Sequence, residues 1–184
     1  MYDKEKTQGK ILELQRAFID AFNRAADISR NEAIKNLRPG EKAPATGKVY
    51  GEDRRNTFAE QAAKLRADGQ KIIDDARAEV LAEMSAAPSA EAVNSIGMMK
   101  LRDRVTGAEV SALINEYGSN YQTYQVIKDI AKKSEIRLEE HPLESALTDL
   151  DRMARTVSQM DLAGAERGKA ADSAFIAFQE AFFS

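Results

Sequence analysis

Two long segments of this sequence each carry a line of apolar or small residues at alternating spacings of three and four. The members are Ile11, Leu14, Phe18, Ala21, Ala25 and Ile28 in the first line, and Phe58, Ala62, Leu65, Gly69, Ile72 and Ala76 in the second. This spacing is typical of helices that pack in pairs along a narrow seam. The stretch "RPGEKAPATG" lies between the two lines, and its prolines and glycines cannot continue a helix. The pattern therefore predicts an antiparallel hairpin of two long helices.

The composition agrees with such a fold. Hydrophobic residues make up 43% of the 184 residues, but many of them are alanine, and Ile, Leu, Val and Phe together reach only about a fifth. A chain with so few large apolar side chains can bury only a thin core, as long paired helices do. Alanine, glutamate, lysine and arginine are frequent whereas proline is scarce, so the composition predicts an all-α protein.

A set of shorter helices is predicted in the middle of the chain. Pro88 ends the second long helix, and Ser89 is placed to cap a shorter helix that carries Val93, Ile96 and Met99 and could extend to Leu101. The sequence "TGAE" at 106–109 is a capping-box pattern that starts another helix. That helix is predicted to end at Gly118 in a left-handed conformation, and Ser119 or Asn120 then caps a helix reaching about Ser134.

The remaining residues, 138–184, contain a proline only at their start. An approximate heptad line of apolar residues runs through them, with a flaw where Asp161 occupies a position of the line. They are predicted to form one long C-terminal helix of about 60 Å. The predicted fold is thus an elongated all-α bundle in three segments: a long hairpin over 1–87 with a loop near 36–54, a small helical subdomain over 88–137, and the long helix over 138–184.

The last stretch, "FIAFQEAFF", places large apolar residues on more than one face of a helix. They are Phe175, Ile176, Phe178, Phe182 and Phe183. One hypothesis is that these residues bind another subunit or partner, because large exposed aromatic patches mark interfaces. The alternative is that they are buried against the hairpin of the same chain.

The segment 106–134 has the form of a helix-turn-helix, with three of the five tyrosines around Gly118. A DNA-reading version would use Asn120, Gln122, Lys128 and Lys132. The net charge of −3 and the absence of a strongly basic segment make nucleic acid an improbable partner, since phosphate attraction supplies much of the affinity for DNA. A structural corner, in which Tyr117, Tyr121 and Tyr124 pack while their hydroxyls reach water, is the favoured interpretation.

The sequence contains few of the side chains from which catalytic and metal sites are usually built. Cysteine is absent, and the single histidine, His141, is more simply explained as part of a helix start. Neighbouring acids such as Asp74 and Asp75 point to different sides of a helix, so no metal site, cofactor or enzymatic activity is predicted. The longest apolar runs are too short to span a membrane, and the stretch "MYDKEKTQGK" has no apolar signal core, so we expect neither insertion nor export.

The stretch "LINEYGSNYQTYQVIKDIAKKS" at 113–134 resembles a segment of helical structural-module proteins of tailed phages and prophages, among them scaffold-like and capsid-accessory proteins. The resemblance implies an elongated, non-enzymatic component of virion assembly. This chain departs from capsid scaffolds in one respect: their C-terminal capsid-binding helix is usually basic, whereas this one is aromatic and acidic.

The sequence therefore favours a structural or assembly protein that acts through helix packing as a homo-oligomer, with other virion or assembly proteins as further partners. Its expected location is the cytoplasm of a bacterial host cell or the virion. The first alternative is a DNA-binding adaptor or regulator that uses 106–134. A second is a secreted helical-hairpin effector, but the chain has no tryptophan and so lacks the Trp-x-Gly turn of the best-known family of that kind.

Overall fold

Helices account for nearly all the regular structure of the protein, in a computed structural model that describes residues 2–169. Residues 2–169 contain no β-strand, which confirms the all-α prediction. The helices are α1 (Lys4–Lys35), α2 (Glu52–Met84), α3 (Ala90–Lys100), α4 (Gly107–Tyr117), α5 (Tyr121–Lys133), α6 (Pro142–Ser158) and α7, described over Leu162–Lys169.

The helix starts follow from local side-chain chemistry. The Asp3 carboxylate accepts a hydrogen bond from the backbone N–H of Lys6 at 2.9 Å and so caps α1. Ser89 caps α3 in the same way, and Thr106 with Glu109 forms the complete capping box of α4. The predictions for Ser89 and Thr106 are confirmed, and each of these caps depends only on residues three positions apart.

The line of buried residues along α1 differs from the predicted heptad line. It consists of Thr7, Ile11, Gln15, Phe18, Phe22, Ala26 and Ser29. Positions along this line repeat after eleven residues, which corresponds to about 3.67 residues per turn, close to the 3.6 of a straight helix. A line of residues that repeats every seven positions rotates gradually away from this face of a straight helix. Ile28, which belongs to the predicted heptad line, is therefore 46% exposed, while its neighbour Ser29 is 2% exposed.

The helix α2 shows the same departure. Its buried residues are Phe58, Ala62, Gly69, Ile73, Ala76 and Val80. The predicted line shares Phe58, Ala62, Gly69 and Ala76 with this series, but its Leu65 is only partly buried. Ile73 is fully buried, whereas Ile72, the predicted member, is only partly buried. The heptad prediction is wrong here for the same geometrical reason as in α1.

Contacts between α1 and α2 occur in reversed chain order. The Phe58 ring lies 5.6 Å from the Phe18 ring and 5.5 Å from the Phe22 ring, centroid to centroid. Nearer the connecting loop, the Arg54 guanidinium binds the Glu32 carboxylate at 2.7 Å. The loop itself is held on α1, because the N–H of Tyr50 donates to the Ser29 hydroxyl at 3.0 Å and Val49 is buried.

The predicted single C-terminal helix is interrupted, which corrects the sequence prediction for 138–184. The helix α6 ends at Ser158 and α7 begins at Leu162. The Asp161 carboxylate accepts a hydrogen bond from the N–H of Gly164 at 2.6 Å, as an N-cap does. The sequence showed Asp161 as a flaw in the apolar line, and the structure shows that it starts a new helix.

The described chain divides into two compact units, which do not coincide with the three predicted segments. Unit 1 contains Asp75–Leu150 together with Tyr2, and unit 2 contains Asp3–Asp74 together with the residues from Asp151 onward. The long helices α2 and α6 each contribute to both units.

Each unit has its own packing. The core of unit 1 is formed by α3, α4 and α5 through Ile96, Val105, Val110, Leu113, Ile127, Ile130 and Ala131. In unit 2, α6 approaches α2 closely: a Cβ added to Gly69 would lie 3.0 Å from a methyl group of Val157. Gly69 therefore leaves room for a side chain of α6.

Candidate functional site

The corner between α4 and α5 contains the glycine and tyrosines that the sequence singles out. Gly118 ends α4 with φ −71°, in the right-handed region, so the predicted left-handed conformation is wrong. The chain turns through right-handed residues because Asn120 begins capping α5 only two positions later. Glycine is needed here for a different reason: a Cβ would lie 2.5 Å from the carbonyl oxygen of Ile114.

The tyrosine hydroxyls around this corner are bonded to other groups of unit 1. Tyr124 donates to the carbonyl of Glu139 at 2.6 Å. Tyr121 donates to the Glu144 carboxylate at 3.1 Å, and the hydroxyl of Tyr117 lies 3.2 Å from that of Ser95. The prediction that these rings pack against the corner agrees with the structure, but their hydroxyls bind the protein where contact with water was expected. The tyrosines thus join separate parts of unit 1.

His141 lies directly beneath the corner and is 4% exposed. Its Nδ1 accepts a hydrogen bond from the N–H of Leu143 at 3.2 Å, which leaves the proton on Nε2. That nitrogen lies 3.2 Å from the carbonyl of Gly118 and donates to it. The ring also meets Tyr121 and Tyr124 edge to face, with centroids 5.3 and 5.0 Å away. Both nitrogens are therefore occupied in fixing the start of α6 to the corner.

Glu144 is the polar centre of this cluster. Its carboxylate accepts hydrogen bonds from Tyr121, from Gln125 at 2.9 Å and from the N–H of His141 at 3.3 Å, and Lys128 lies 3.6 Å away. Burial opposes its ionisation, but the hydrogen bonds and Lys128 outweigh burial and lower the pKa of Glu144. Burial and the adjacent carboxylate raise the pKa of Tyr121.

Three of the four residues proposed for DNA reading are engaged within unit 1. The Asn120 amide accepts from the N–H of Thr123 at 3.0 Å and donates to the carbonyl of Ala86 at 2.9 Å. Gln122 donates to the carbonyl of Met84 at 2.8 Å, and Lys128 is close to Glu144. Lys132 is exposed in the last turn of α5. A residue that holds two helices together in this way is poorly placed to read bases.

The helix α3 presents an exposed apolar surface. It buries Ala92 and Ile96, but Val93 is 54% exposed, Met98 71% and Leu101 85%. Of the apolar residues that the sequence analysis places on this helix, Ile96 is buried and Met99 partly buried, whereas Val93 and Leu101 lie outside the core around α5. We call Val93, Met98 and Leu101 the α3 face. The signal in the sequence was that α3 has more apolar residues than one face can bury.

Unit 2 contains an open groove of about 590 Å³ between α1 and α2. Its apolar lining includes Ala21, Ala25 and Ile28 of α1 and Leu65 of α2. These four residues belong to the predicted heptad lines and are not buried in the α1–α2 contact. The charged side chains of Arg24, Arg54, Lys64 and Asp68 also line this groove.

The residues predicted to form a partner interface, Phe175, Ile176, Phe178, Phe182 and Phe183, lie outside the described residues. Within residues 2–169, no three His, Cys, Asp or Glu side chains come together as a metal site would require. No helix in that range is long and apolar enough to cross a membrane.

Comparisons of the chain with known protein families, with curated proteins and with solved structures gave no match.

Proposed function

We propose that this protein is a non-enzymatic structural or assembly protein that acts by packing helices against other protein surfaces, and that it forms a homo-oligomer. The observation that carries the proposal is the α3 face, on which Met98 and Leu101 are the two most exposed large hydrophobic residues of the described chain. Burying such a side chain stabilises an interface by roughly 1.5–3 kcal/mol. In a symmetric dimer both copies bury the same three residues. These side chains together would therefore supply a substantial part of the binding free energy of the dimer.

The arrangement of α1 and α2 as a hairpin is part of the same proposal. The reversed order of contacts between α1 and α2 supports a long antiparallel hairpin, with a buried line that repeats after eleven residues. A role in phage or prophage virion assembly, in the host cytoplasm or the virion, rests on the resemblance of 113–134. A non-enzymatic role is supported by the state of His141, whose two ring nitrogens are both hydrogen-bonded within the protein.

The DNA-binding alternative receives less support. Asn120 and Gln122 use their amide groups to bind the carbonyls of Ala86 and Met84. The sequence pI is about 5.4, so the chain is acidic at neutral pH. A protein of this charge lacks the phosphate attraction that supplies most non-specific affinity for DNA.

Light scattering on the purified full chain tests the proposed function. We expect a mass above the monomer value of 20.3 kDa, falling toward that value in Met98→Asp and Leu101→Asp variants. Asn56→Asp is the matched control, because it adds the same charge at an exposed position of another helix, α2. A wild-type chain that stays monomeric at every concentration would remove the main support for the proposal.

A further inference from the structure

The exposed side of α3 carries a regular line of residues between the members of the α3 face. We call this line the α3 seam, and its spacings are four, three and four: Ala90, Asn94, Gly97 and Leu101. Two helices that form a coiled coil meet along residues with this alternation. All four residues are exposed, whereas another side of α3 buries Ala92 and Ile96. Leu101, at the end of the helix, still has right-handed helical backbone angles. The α3 seam therefore lies where a further helix could pack.

Gly97 leaves room for such a helix. A Cβ added to Gly97 would have no neighbour within 4 Å in the part of the chain that the structure describes. Glycine destabilises the interior of a helix relative to alanine, and no contact around Gly97 within the described residues requires it. A neighbouring helix would account for it, because the absence of a Cβ lets two backbones approach closely.

The polar residue of the α3 seam indicates which partner covers it. Between Glu91 and Lys100 the helix has no charged residue, so a charged partner would find no opposite charge in the seam. The amide of Asn94 can both donate and accept hydrogen bonds, and it is therefore complementary to a second, identical amide. A single asparagine in a coiled-coil seam pairs with its counterpart and fixes the register of the helices. A second copy of α3 supplies that counterpart.

The exposed apolar residues favour a parallel pair in register. In that arrangement each seam residue lies beside the same residue of the second copy, so the two Asn94 amides meet and the two Leu101 side chains meet. Residues on opposite flanks of the seam also meet across it when they are five positions apart. Val93 and Met98 are such a pair, so Val93 of each copy packs against Met98 of the other. The parallel pair thus buries the whole α3 face.

An antiparallel pair would use the same residues less well. It sets each flank of the seam against the same flank of the second copy, so Val93 would lie beside Val93. Asn94 would then face Gly97 or Leu101 of the second copy, and neither has a side chain that can bond an amide. A polar side chain would be buried without a partner, which destabilises an interface.

We propose that α3 pairs in parallel and in register with α3 of a second copy, through the α3 seam, and that the two Asn94 amides bond to each other. The inference rests on the proposed function, which requires a homo-oligomer formed through the α3 face. To that function it adds the partner helix, its direction and its register.

Disulfide trapping between full chains tests the direction of the helices, because the protein has no cysteine of its own. One chain carries Val93→Cys and another carries Met98→Cys, and the two are mixed in equal amounts under mild oxidation. Parallel packing brings these two cysteines together, so we expect linked heterodimers to form at least five times faster than either homodimer. A mixture of Ala63→Cys with Met98→Cys is the matched control, since Ala63 is an exposed residue of α2.

The register is tested by Leu101→Cys alone, which keeps the Asn94 amides. In register, the two cysteines of this variant lie beside each other, so linked homodimers should form at least five times faster than in Ala63→Cys alone. An antiparallel pair would instead place residue 101 near the start of the other α3 and would give no such increase.

Two results would overturn the inference and leave the proposed function standing. Preferential homodimers of Val93→Cys would show that the helices are antiparallel. Linkage no faster than in the Ala63→Cys controls, in a chain that light scattering shows to be oligomeric, would show that α3 does not pair with α3. A chain that is monomeric by light scattering would contradict the proposed function and this inference together.

Discussion

Glu135 carries the one positive φ, 58°, among the non-glycine residues that the structure describes. It follows α5, where the N–H of Ile136 bonds to the carbonyl of Ala131 at 2.9 Å and the N–H of Glu135 to that of Lys132 at 3.1 Å. These two hydrogen bonds define a Schellman ending, which normally has glycine at the position of Glu135. A side chain there costs about 1–2 kcal/mol of backbone strain.

We therefore expect Glu135→Gly to raise the free energy of unfolding. Relief of the strain outweighs the greater freedom that glycine gives the unfolded chain, so the net gain is about 0.5–1 kcal/mol. Urea unfolding followed by circular dichroism measures it. Glu135→Ala is the control, since it removes the same charge and keeps a Cβ; an equal gain in both variants would assign the effect to charge.

At Gly118, by contrast, we expect a substitution to destabilise the protein. An added Cβ would lie 2.5 Å from the carbonyl oxygen of Ile114, and that neighbour is backbone. We expect Gly118→Ala to lower the free energy of unfolding by about 1–3 kcal/mol, as overpacking in a fixed site does. The measurement is again urea unfolding.

Gly97 of α3 provides the control for Gly118. A Cβ at Gly97 would have no neighbour within 4 Å, so Gly97→Ala should stabilise α3 by about 1 kcal/mol through helix propensity. If Gly118→Ala also stabilised the protein, the close approach described for the corner would be wrong.

At the scale of the element, we expect protonation of the Glu109 carboxylate to destabilise the start of α4. The Glu109 carboxylate accepts the N–H of Thr106 at 2.8 Å and also binds Arg102 and the Thr106 hydroxyl. The backbone hydrogen bond, with help from Arg102 and that hydroxyl, lowers the pKa of Glu109 to about 2. A group with a lowered folded pKa contributes stability that is complete above its ordinary value of 4.5 and is lost as the pH falls toward 2.

We expect Glu109→Gln to be less stable than the wild type at pH 7, because the glutamine amide cannot reproduce the charged contacts. The difference should shrink between pH 4.5 and pH 2, where the wild-type carboxylate becomes protonated. Unfolding midpoints at a series of pH values measure this. Glu91→Gln, in the first turn of α3, is the comparison; if the gap between Glu109→Gln and wild type stayed constant down to pH 2, the capping role would be contradicted.

Two adjacent isoleucines in α2 distinguish the observed buried line from the heptad line. Ile73 is fully buried, so Ile73→Ala should cost about 2–5 kcal/mol of unfolding free energy. Ile72 is only partly buried, and Ile72→Ala should cost markedly less. Both substitutions remove the same atoms from the same helix, so the pair provides its own control in chemical denaturation. Equal losses would support the heptad register.

How much of each element the sequence could predict depends on the range of the interactions involved. The caps at Ser89 and Thr106 were predictable because each needs only residues three positions away. The buried line was not, because Ile72 and Ile73 both suit a helix core, and the choice between them depends on how the helices pack in space. The break at Asp161 was visible as an irregularity, but a single acid in an apolar line does not reveal whether the helix continues.

The candidate surfaces were less predictable than the helices. The packing of the tyrosines around Gly118 was predictable from their helical spacing, yet the contact from His141 to the Gly118 carbonyl joins residues more than twenty positions apart. No local pattern contains that contact. The exposure of Val93 and Leu101 was not predictable from their apolar character, because it depends on how α3 packs on α5.

At the scale of the whole molecule, the distribution of charge bears on the choice between an assembly protein and a DNA-binding protein. The chain carries 27 lysines and arginines against 30 aspartates and glutamates, and the segment 138–184 is its most acidic part. Within α5, Lys128 is held near Glu144, which leaves Lys132 and Lys133 beside Asp129 as the basic part of the helix. Few phosphates could be neutralised, so counterion release can drive little binding.

We expect no salt-dependent binding of the full chain to duplex DNA. Fluorescence anisotropy with a labelled duplex at about 50 mM salt measures it, since non-specific affinity is greatest at low ionic strength. The Lys128→Glu and Lys132→Glu variants provide the decisive comparison. A DNA reader would bind at low salt and lose most of that affinity in both variants, because each removes one phosphate contact and adds a repelling charge. Equal, negligible anisotropy changes in wild type and variants would agree with the proposed assembly function and would exclude the DNA-binding alternative.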